Sequence, residues 1–243
     1  MKKSPSIVLL TGAGISAESG LATFRDSGGT WEKRRIEDVA TPQAFRSNPA
    51  LVLEFYNQRR RDATAAQPNA AHKALALLEK EWPGNFLLIT QNVDALHEAA
   101  GSQKLLHMHG ALHSALCMHC GHRSPWQGDM EQFSICPQCE AEGSLRPDIV
   151  WFGETPYDMD IIEKALQQAD IFAAIGTSGQ VYPAAGFVYL AQHNGARTFE
   201  INLVCDPDDR ACFDEALSGP ATVTVPAFVA RMLAEYGAEC TGK

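Results

Sequence analysis

Short apolar runs recur along the chain, each followed by a polar or glycine-rich segment and then by a stretch with helical spacing. Residues 6–10, 86–90, 104–107, 170–175, 197–201 and 222–225 read as strands. Runs this short and this continuously apolar suit strands buried on both faces. Between them, 71–82, 158–169, 183–192 and 226–236 place apolar residues at helical spacing, with Pro183 and Pro226 suited to first turns. Strands alternating with helices predict an α/β fold built on a doubly wound parallel sheet. Two stretches break the rhythm. Residues 24–70 are helix-like without a good strand, and 112–146 are rich in Cys, His, Gly and Ser. Both read as insertions. The predicted core is therefore 1–23, 71–111 and 147–243, with a loop and helical module in 24–70 and a small module in 112–146.

Composition narrows the class. At 243 residues with 45% apolar and 20% charged positions, the chain has the make-up of a globular protein. A formal net charge of -9 argues against nucleic acid and against an anionic membrane surface as partners. No apolar run approaches the ~20 residues that span a bilayer, and the start lacks the apolar core of a signal peptide. A cytoplasmic setting is expected. The oligomeric state is left open.

The cysteines carry the clearest metal signal. Cys117-Met-His-Cys120 and Cys136-Pro-Gln-Cys139 are fifteen residues apart, within the spacing of a zinc ribbon. Four thiolates complete a tetrahedron and leave no open position, so one structural zinc ion is expected rather than a catalytic one. Cys205, Cys212 and Cys240 read as thiols without a role.

Five strand ends carry candidate binding chemistry. After Ile7-Val8-Leu9-Leu10, Gly12, Gly14 and Ala17 fit G-x-G-x-x-G/A. In that form the first glycine makes the turn, the second lets backbone approach a pyrophosphate, and the small third residue lets helix pack on strand. The polar continuation from Phe24-Arg25-Asp26 to Trp31 reads as a loop that closes over a ligand. After 86–90 come Gln91, Asn92 and Asp94, suited either to an amide and ribose hydroxyls or to a helix N-cap. His107 and His109 follow another strand and share a face unless the strand ends between them; Gly110 permits close approach. Gly176-Thr177-Ser178 and Asn202 end two further strands.

Together these segments resemble the sirtuins, the NAD-dependent protein deacylases. GAGIS with SGLATFRD, TQNVD, HMHG, the two C-x-x-C pairs, LRPDIVWFGE, GTS and IN occur in that family's order from about residue 7 to 236. The resemblance implies a Rossmann-type domain with an inserted zinc-binding module and a helical module. It implies NAD as a consumed co-substrate and acylated protein lysines as partners. His109 would be the base. Gly12, Ala13, Gly14, Phe24, Arg25 and Trp31 would form the cofactor loop, with Gln91, Asn92 and Asp94 near the nicotinamide and its ribose. Gly176, Thr177, Ser178, Asn202 and Ala221 would meet the adenosine half. Phe152, Gly153 and Glu154, opposite Val181, would flank an acyl-lysine peptide added as a strand. The acyl group would pass to ADP-ribose with release of nicotinamide.

Tyr56 and Arg59 are spaced i, i+3 on one helix face, and phenol beside guanidinium can receive a carboxylate. This pair resembles that of the class III sirtuins, which remove succinyl and malonyl groups, and Ala40 matches the small residue of their acyl pocket. Arg60 and Arg61 read as a solvated face. The usual proline of the cofactor loop is replaced by Ala22, which restores a backbone N–H. Two other readings are a zinc-ribbon NAD dehydrogenase and a non-enzymatic NAD- or peptide-binding module. A dehydrogenase would want an acidic residue ending a strand ~20 residues past the glycine turn, and none is found there.

Overall fold

The structure is a computed structural model. It describes residues 4–23, 30–31, 34–205 and 212–237. The first strand is β1 (Ile7–Thr11), followed by two 3-10 turns, Ala13–Ile15 and Ala17–Ser19, and a ribbon of β2 (Thr30–Trp31) and β3 (Arg34–Arg35). Four helices follow: α1 (Ile36–Val39), α2 (Pro42–Ser47), α3 (Pro49–Ala65) and α4 (Ala70–Glu81). Then come β4 (Phe86–Thr90), α5 (Leu96–Ala100), β5 (Leu105–His107), β6 (Gly110–Cys117), β7 (Arg123–Pro125) and β8 (Leu145–Ile149). The chain continues through α6 (Met159–Gln167), β9 (Ile171–Ile175), α7 (Phe187–His193), β10 (Arg197–Asn202), β11 (Glu215–Ser218) and α8 (Ala221–Tyr236).

The main sheet runs β11-β10-β9-β1-β4-β5, and every pair is parallel. Counting only its own six strands along the chain, the order is 3-2-1-4-5-6, so the winding reverses between β1 and β9. That reversal opens a crevice beyond the strands' carboxyl ends. β1 is buried throughout because its alternate residues feed two cores. Ile7 and Leu9 join Ile171, Ala173 and Phe199 under α4 and α8, while Val8 and Leu10 join Phe172 and Ala174 under α6 and α7. A third core is shared by the two insertions. It packs Val39, Phe45, Val52 and Tyr56 of the helical part against Leu112, Leu145 and Ile149 of the antiparallel sheet β7-β6-β8. Among the described residues no helix is long and apolar enough to cross a membrane.

The structure corrects several expectations. Residues 222–225 are not a strand but the start of α8. Their β-branched run mimics a strand, yet Val225 begins a helical stripe continued by Phe228, Val229 and Met232 in the core. Glu18 accepts from Thr222 N at 2.9 Å and from its hydroxyl at 2.7 Å, placing a negative charge at the helix N-terminus. Pro226 consequently lies inside α8 rather than in its first turn, where it removes the helical donor to the Thr222 carbonyl. The sixth strand is instead β11, whose Glu-Ala-Leu-Ser sequence is half-exposed at the sheet edge and has no apolar signature. The 24–70 stretch does hold strand, though only the two-residue pair β2 and β3. Arg60 is not on a solvated face. It is 2% exposed, and its guanidinium donates to the carbonyls of Leu112 (2.6 Å) and Gly128 (3.2 Å) and to Asn57 Oδ1 (2.8 Å). Arg61 is the solvated one, paired with Glu54 and Asp129.

Candidate active site

Strand register assembles the site. Thr11 is level with Thr90 and Ile175, Thr90 with His107, and Ile175 with Ile201. The residues that follow, among them Gly12, Gln91, Gly176 and Asn202, therefore emerge along one rim of the crevice. Hydrogen bonds knit these loops together. Gly12 N donates to Ile175 O (2.9 Å), Gly14 N to Gly176 O (2.8 Å) and Gln91 N to Thr11 O (2.9 Å). Gln91 Nε2 donates to Thr177 Oγ1 (3.0 Å), Asn202 Nδ2 to Thr177 O (2.7 Å) and Asn92 Nδ2 to Gly12 O (3.1 Å). Ala221 opens α8 on the same side, just after Gly219, whose N–H donates to Asn202 O.

The structure gives the motif's glycines a requirement that the sequence did not show. Gly12 has an ordinary extended φ of -125°. Its glycine is required by proximity instead: a Cβ there would lie 2.8 Å from Gly176 O, and one on Gly14 would lie 2.8 Å from Gly176 Cα. Both glycines thus let the β1 loop touch the β9 loop. Ala17 packs no helix on a strand, because only short 3-10 turns follow and Ala17 is exposed; Ile15 is the buried residue there. Phe24 and Arg25 lie outside the described residues, and Trp31 lies in β2.

Beneath the rim lies a buried polar network that sequence reasoning largely missed. Ser16 Oγ donates to Asp94 Oδ2 (3.1 Å) and accepts from Asn92 Nδ2 (3.2 Å). His72 Nδ1 accepts from Asn69 N (3.3 Å), so its Nε2 carries the hydrogen that faces Ser16 Oγ (3.4 Å). His97 Nε2 meets Thr11 Oγ1 (3.0 Å), and the two imidazoles sit 4.9 Å apart. Burial pulls His72 down to about 4 and His97 well below its ordinary value, so both are neutral at physiological pH. Burial raises the Asp94 carboxyl against the lowering effect of its Leu96 N–H and Ser16 bonds. Asp94 thus joins the rim network and also accepts from Leu96 N, the first N–H of α5, at 3.1 Å, one residue ahead of the Ala95 N-cap. Asn92, Asp94 and the S of GAGIS were the sequence pointers to this layer; the histidines sit on helices, where spacing marks them as core.

The strand ends between the two histidines, and this separates them. His107 Nδ1 donates to Asn92 O (3.0 Å) while its Nε2 faces Glu98 Oε1 (2.7 Å). Burial lowers its pKa, but the Glu98 bond and charge outweigh that and leave it above the ordinary histidine value. His109, in the turn after β5, places Nδ1 at 3.2 Å from Gln91 O. A carbonyl only accepts, so Nδ1 bears the hydrogen and Nε2 keeps its lone pair. Burial holds the His109 pKa below its ordinary value, against the raising effect of the Gln91 carbonyl. The ring is therefore neutral near pH 7 with one basic nitrogen. Gly110, at φ 79°, packs so tightly on β8 that a Cβ would overlap Asp148 O.

Two of the acyl-pocket candidates, Ala40 and Tyr56, meet in the third core. Ala40 is buried and its carbonyl accepts from Phe152 N (3.0 Å). Tyr56 is wholly buried and accepts at its hydroxyl from Trp151 Nε1 (3.0 Å). Arg59 is half-buried, its Cζ 5.8 Å from the Phe55 ring centre. With no exposed surface on Tyr56, an acyl chain reaching it must part the packing over it. Glu154 spends its carboxylate on its own loop, accepting from Trp151 N (2.9 Å) and pairing with Arg146 (3.0 Å). What 152–154 can offer a peptide is backbone around Gly153, at φ 90°. Val181 is half-buried in the bend after the Thr177-Ser178 loop.

The Sγ atoms of Cys117, Cys120, Cys136 and Cys139 all lie within 4.8 Å of one another. Two of the separations, Cys117 to Cys139 and Cys120 to Cys136, are 3.8 Å. A tetrahedron with Zn–S bonds of ~2.3 Å has edges of about 3.8 Å, so the set fits zinc.

The Sir2 family model matches residues 12–183. A relative from Bdellovibrio bacteriovorus, named an NAD-dependent protein deacylase, is 57% identical over 231 residues, 94% of this chain and 97% of its own. A solved Sir2 homologue mutant bound to ADP-ribose superposes with a TM-score of 0.88 at 35% identity, covering 98% of this chain and 95% of that one. Another, bound to 2'-O-acetyl ADP-ribose, has a TM-score of 0.85 at 36% identity, with 95% and 93% covered.

Proposed function

The chain belongs to the Sir2 family and is an NAD-dependent protein deacylase, and we propose that the groups it removes from lysine include succinyl and malonyl as well as acetyl. The observation that carries the acyl assignment is Tyr56 and Arg59, one turn apart on α3, with Ala40 in the same core.

NAD, when bound, supplies an electrophilic ribose carbon and nicotinamide as leaving group, so the acyl group ends on ADP-ribose. The chain's residues divide the remaining work. His109, with Nδ1–H committed to the Gln91 carbonyl, takes a proton from a ribose hydroxyl at Nε2. Asn92 and Asp94, oriented by Ser16, hold the nicotinamide side, with Gln91 beside them. Gly12, Ala13 and Gly14 offer backbone to the pyrophosphate, and Phe24, Arg25 and Trp31 are further cofactor contacts. Gly176, Thr177, Ser178, Asn202 and Ala221 meet the adenosine half. Phe152, Gly153 and Glu154, with Val181, flank the acyl-lysine peptide. Arg59 gives the acyl carboxylate a charge-assisted hydrogen bond. Zinc on Cys117, Cys120, Cys136 and Cys139 holds the antiparallel module and takes no part in chemistry. A reducing, cytoplasmic setting suits four thiolates kept for a metal.

The test is Arg59→Met, assayed on matched succinyl- and acetyl-lysine peptides. Losing a charge-assisted bond of ~1.5–3 kcal/mol lowers desuccinylation about tenfold or more, while deacetylation stays near wild type. Equal losses on the two peptides would overturn the acyl assignment.

A further inference from the structure

Trp151 occupies the junction of the acyl pocket, and none of the roles above uses it. Its Nε1 donates to the Tyr56 hydroxyl oxygen at 3.0 Å, with both side chains buried. An indole N–H can only donate, so the phenol is the acceptor in this contact and its own hydrogen is directed elsewhere. Burial raises the Tyr56 pKa, against the lowering influence of Arg59 and of the Trp151 bond itself, so the phenol keeps that hydrogen.

Trp151 is itself tightly fixed. Its backbone N–H donates to Glu154 Oε2 (2.9 Å), and Glu154 is paired with Arg146 (3.0 Å). The Arg146 guanidinium lies over the indole, Cζ 4.2 Å from the ring centre, and the Phe45 ring is 5.3 Å away. The next residue, Phe152, donates its N–H to the Ala40 carbonyl. Trp151 and its neighbour Phe152 therefore join the Tyr56 hydroxyl, the backbone of Ala40 and the turn proposed to flank the peptide.

We propose that Trp151 is a positioning residue for acyl selection: its N–H occupies a Tyr56 lone pair and so presents the phenol's hydrogen, not its oxygen, to the carboxylate of an acidic acyl group. This rests on the reading of Tyr56 and Arg59 as the carboxylate receptor. An acetyl group carries no carboxylate and is indifferent to which way the phenol points. A succinyl or malonyl group gains a donor from one orientation and meets lone pairs in the other.

The experiment compares Trp151→Phe, Tyr56→Phe, the double variant and Arg59→Met on succinyl- and acetyl-lysine peptides at saturating NAD. Trp151→Phe keeps an aromatic ring and deletes the N–H. It should raise KM for the succinyl peptide roughly three- to tenfold, the worth of one hydrogen bond, with kcat little changed and the acetyl peptide within about twofold of wild type. In the Tyr56→Phe background the same substitution should add nothing, because the partner is gone. If Trp151→Phe fails to fold, benzothienylalanine at position 151 replaces N–H by sulfur at nearly the same shape and gives the same readout. Equal losses on both peptides, or additive losses in the double variant, overturn the proposal. Arg59→Met separates the two claims. If it shifts the succinyl-to-acetyl ratio and the loss of the indole N–H does not, only the role of Trp151 falls. If Arg59→Met leaves the ratio unchanged, the receptor reading falls and this role with it.

Discussion

Gly14→Ala should damage the enzyme through a loop it does not belong to. A Cβ at Gly14 would sit 2.8 Å from both Cα and O of Gly176 and 3.1 Å from its carbonyl carbon. Carbon atoms pack best at ~3.5–4.0 Å, so the two loops must part by roughly 0.7 Å, and backbone cannot swing aside as a side-chain tip can. The 2.8 Å bond from Gly14 N to Gly176 O stretches with them. Overpacking of this kind costs ~1–3 kcal/mol and a lost hydrogen bond ~1 kcal/mol, giving about 2–4 kcal/mol together. Gly20→Ala is the control: φ is 87° with nothing among the described residues within 4 Å of a Cβ, so only the left-handed backbone is penalised, by ~1–2 kcal/mol. Urea unfolding should rank the two variants in that order. KM for NAD should rise for Gly14→Ala alone, because both displaced loops carry proposed cofactor contacts. A Gly14→Ala protein as stable as Gly20→Ala, with unchanged KM, would refute the loop-contact argument.

Stripping the metal with a chelator, or Cys136→Ala, should lower the unfolding midpoint while the remaining folded fraction keeps its activity; a folded, stable but inactive protein would instead put the metal in the chemistry. Because burial holds His109 below its ordinary 6.5, kcat/KM should fall on the acid side with an apparent pKa under that value, measured as a pH–rate profile; an acid limb above it would contradict a buried neutral base. The His107–Glu98 contact sets its own window. His107 is raised above 6.5, so its contribution is complete below that pH and lost as pH rises through the folded value. Glu98 has burial raising its pKa, but the His107 bond and charge leave it below 4.5, so its contribution is present above that pH and lost as pH falls through the folded value. Glu98→Gln should remove the pair's loss of stability above pH 6.5 and below pH 4.5, read by thermal unfolding, and leave the His109 acid limb where it was.

What the sequence made legible follows from where the physics is local. β1 reads as a strand because a central parallel strand must be apolar on both faces, and both faces of Ile7–Thr11 are covered. The cysteine module reads from spacing alone, since two short turns suffice to bring four thiolates together. Edge and interior positions read less well. β11 needs no apolar run at a half-exposed edge, while the Thr-Val-Thr-Val start of α8 owes its helix to a stripe that only Phe228, Val229 and Met232 complete. Arg60 looked like its neighbour Arg61, and only long-range acceptors, the carbonyls of Leu112 and Gly128, explain its burial. The glycines of the first turn were legible as necessary, but their crowding by Gly176 was not, because that partner comes from a distant strand end. The same holds for Trp151, whose place in LRPDIVWFGE gives no hint of a phenol on α3.

The account rests on transfer of an acyl group to ADP-ribose with His109 Nε2 as the base. Mass spectrometry of both products after incubation with NAD and a succinyl- or acetyl-lysine peptide tests this most directly. Free lysine peptide, nicotinamide and acyl-ADP-ribose should form in equal amounts with the wild-type chain and not at all with folded His109→Ala. Reduced nicotinamide in place of these products, or undiminished turnover by His109→Ala, would contradict it.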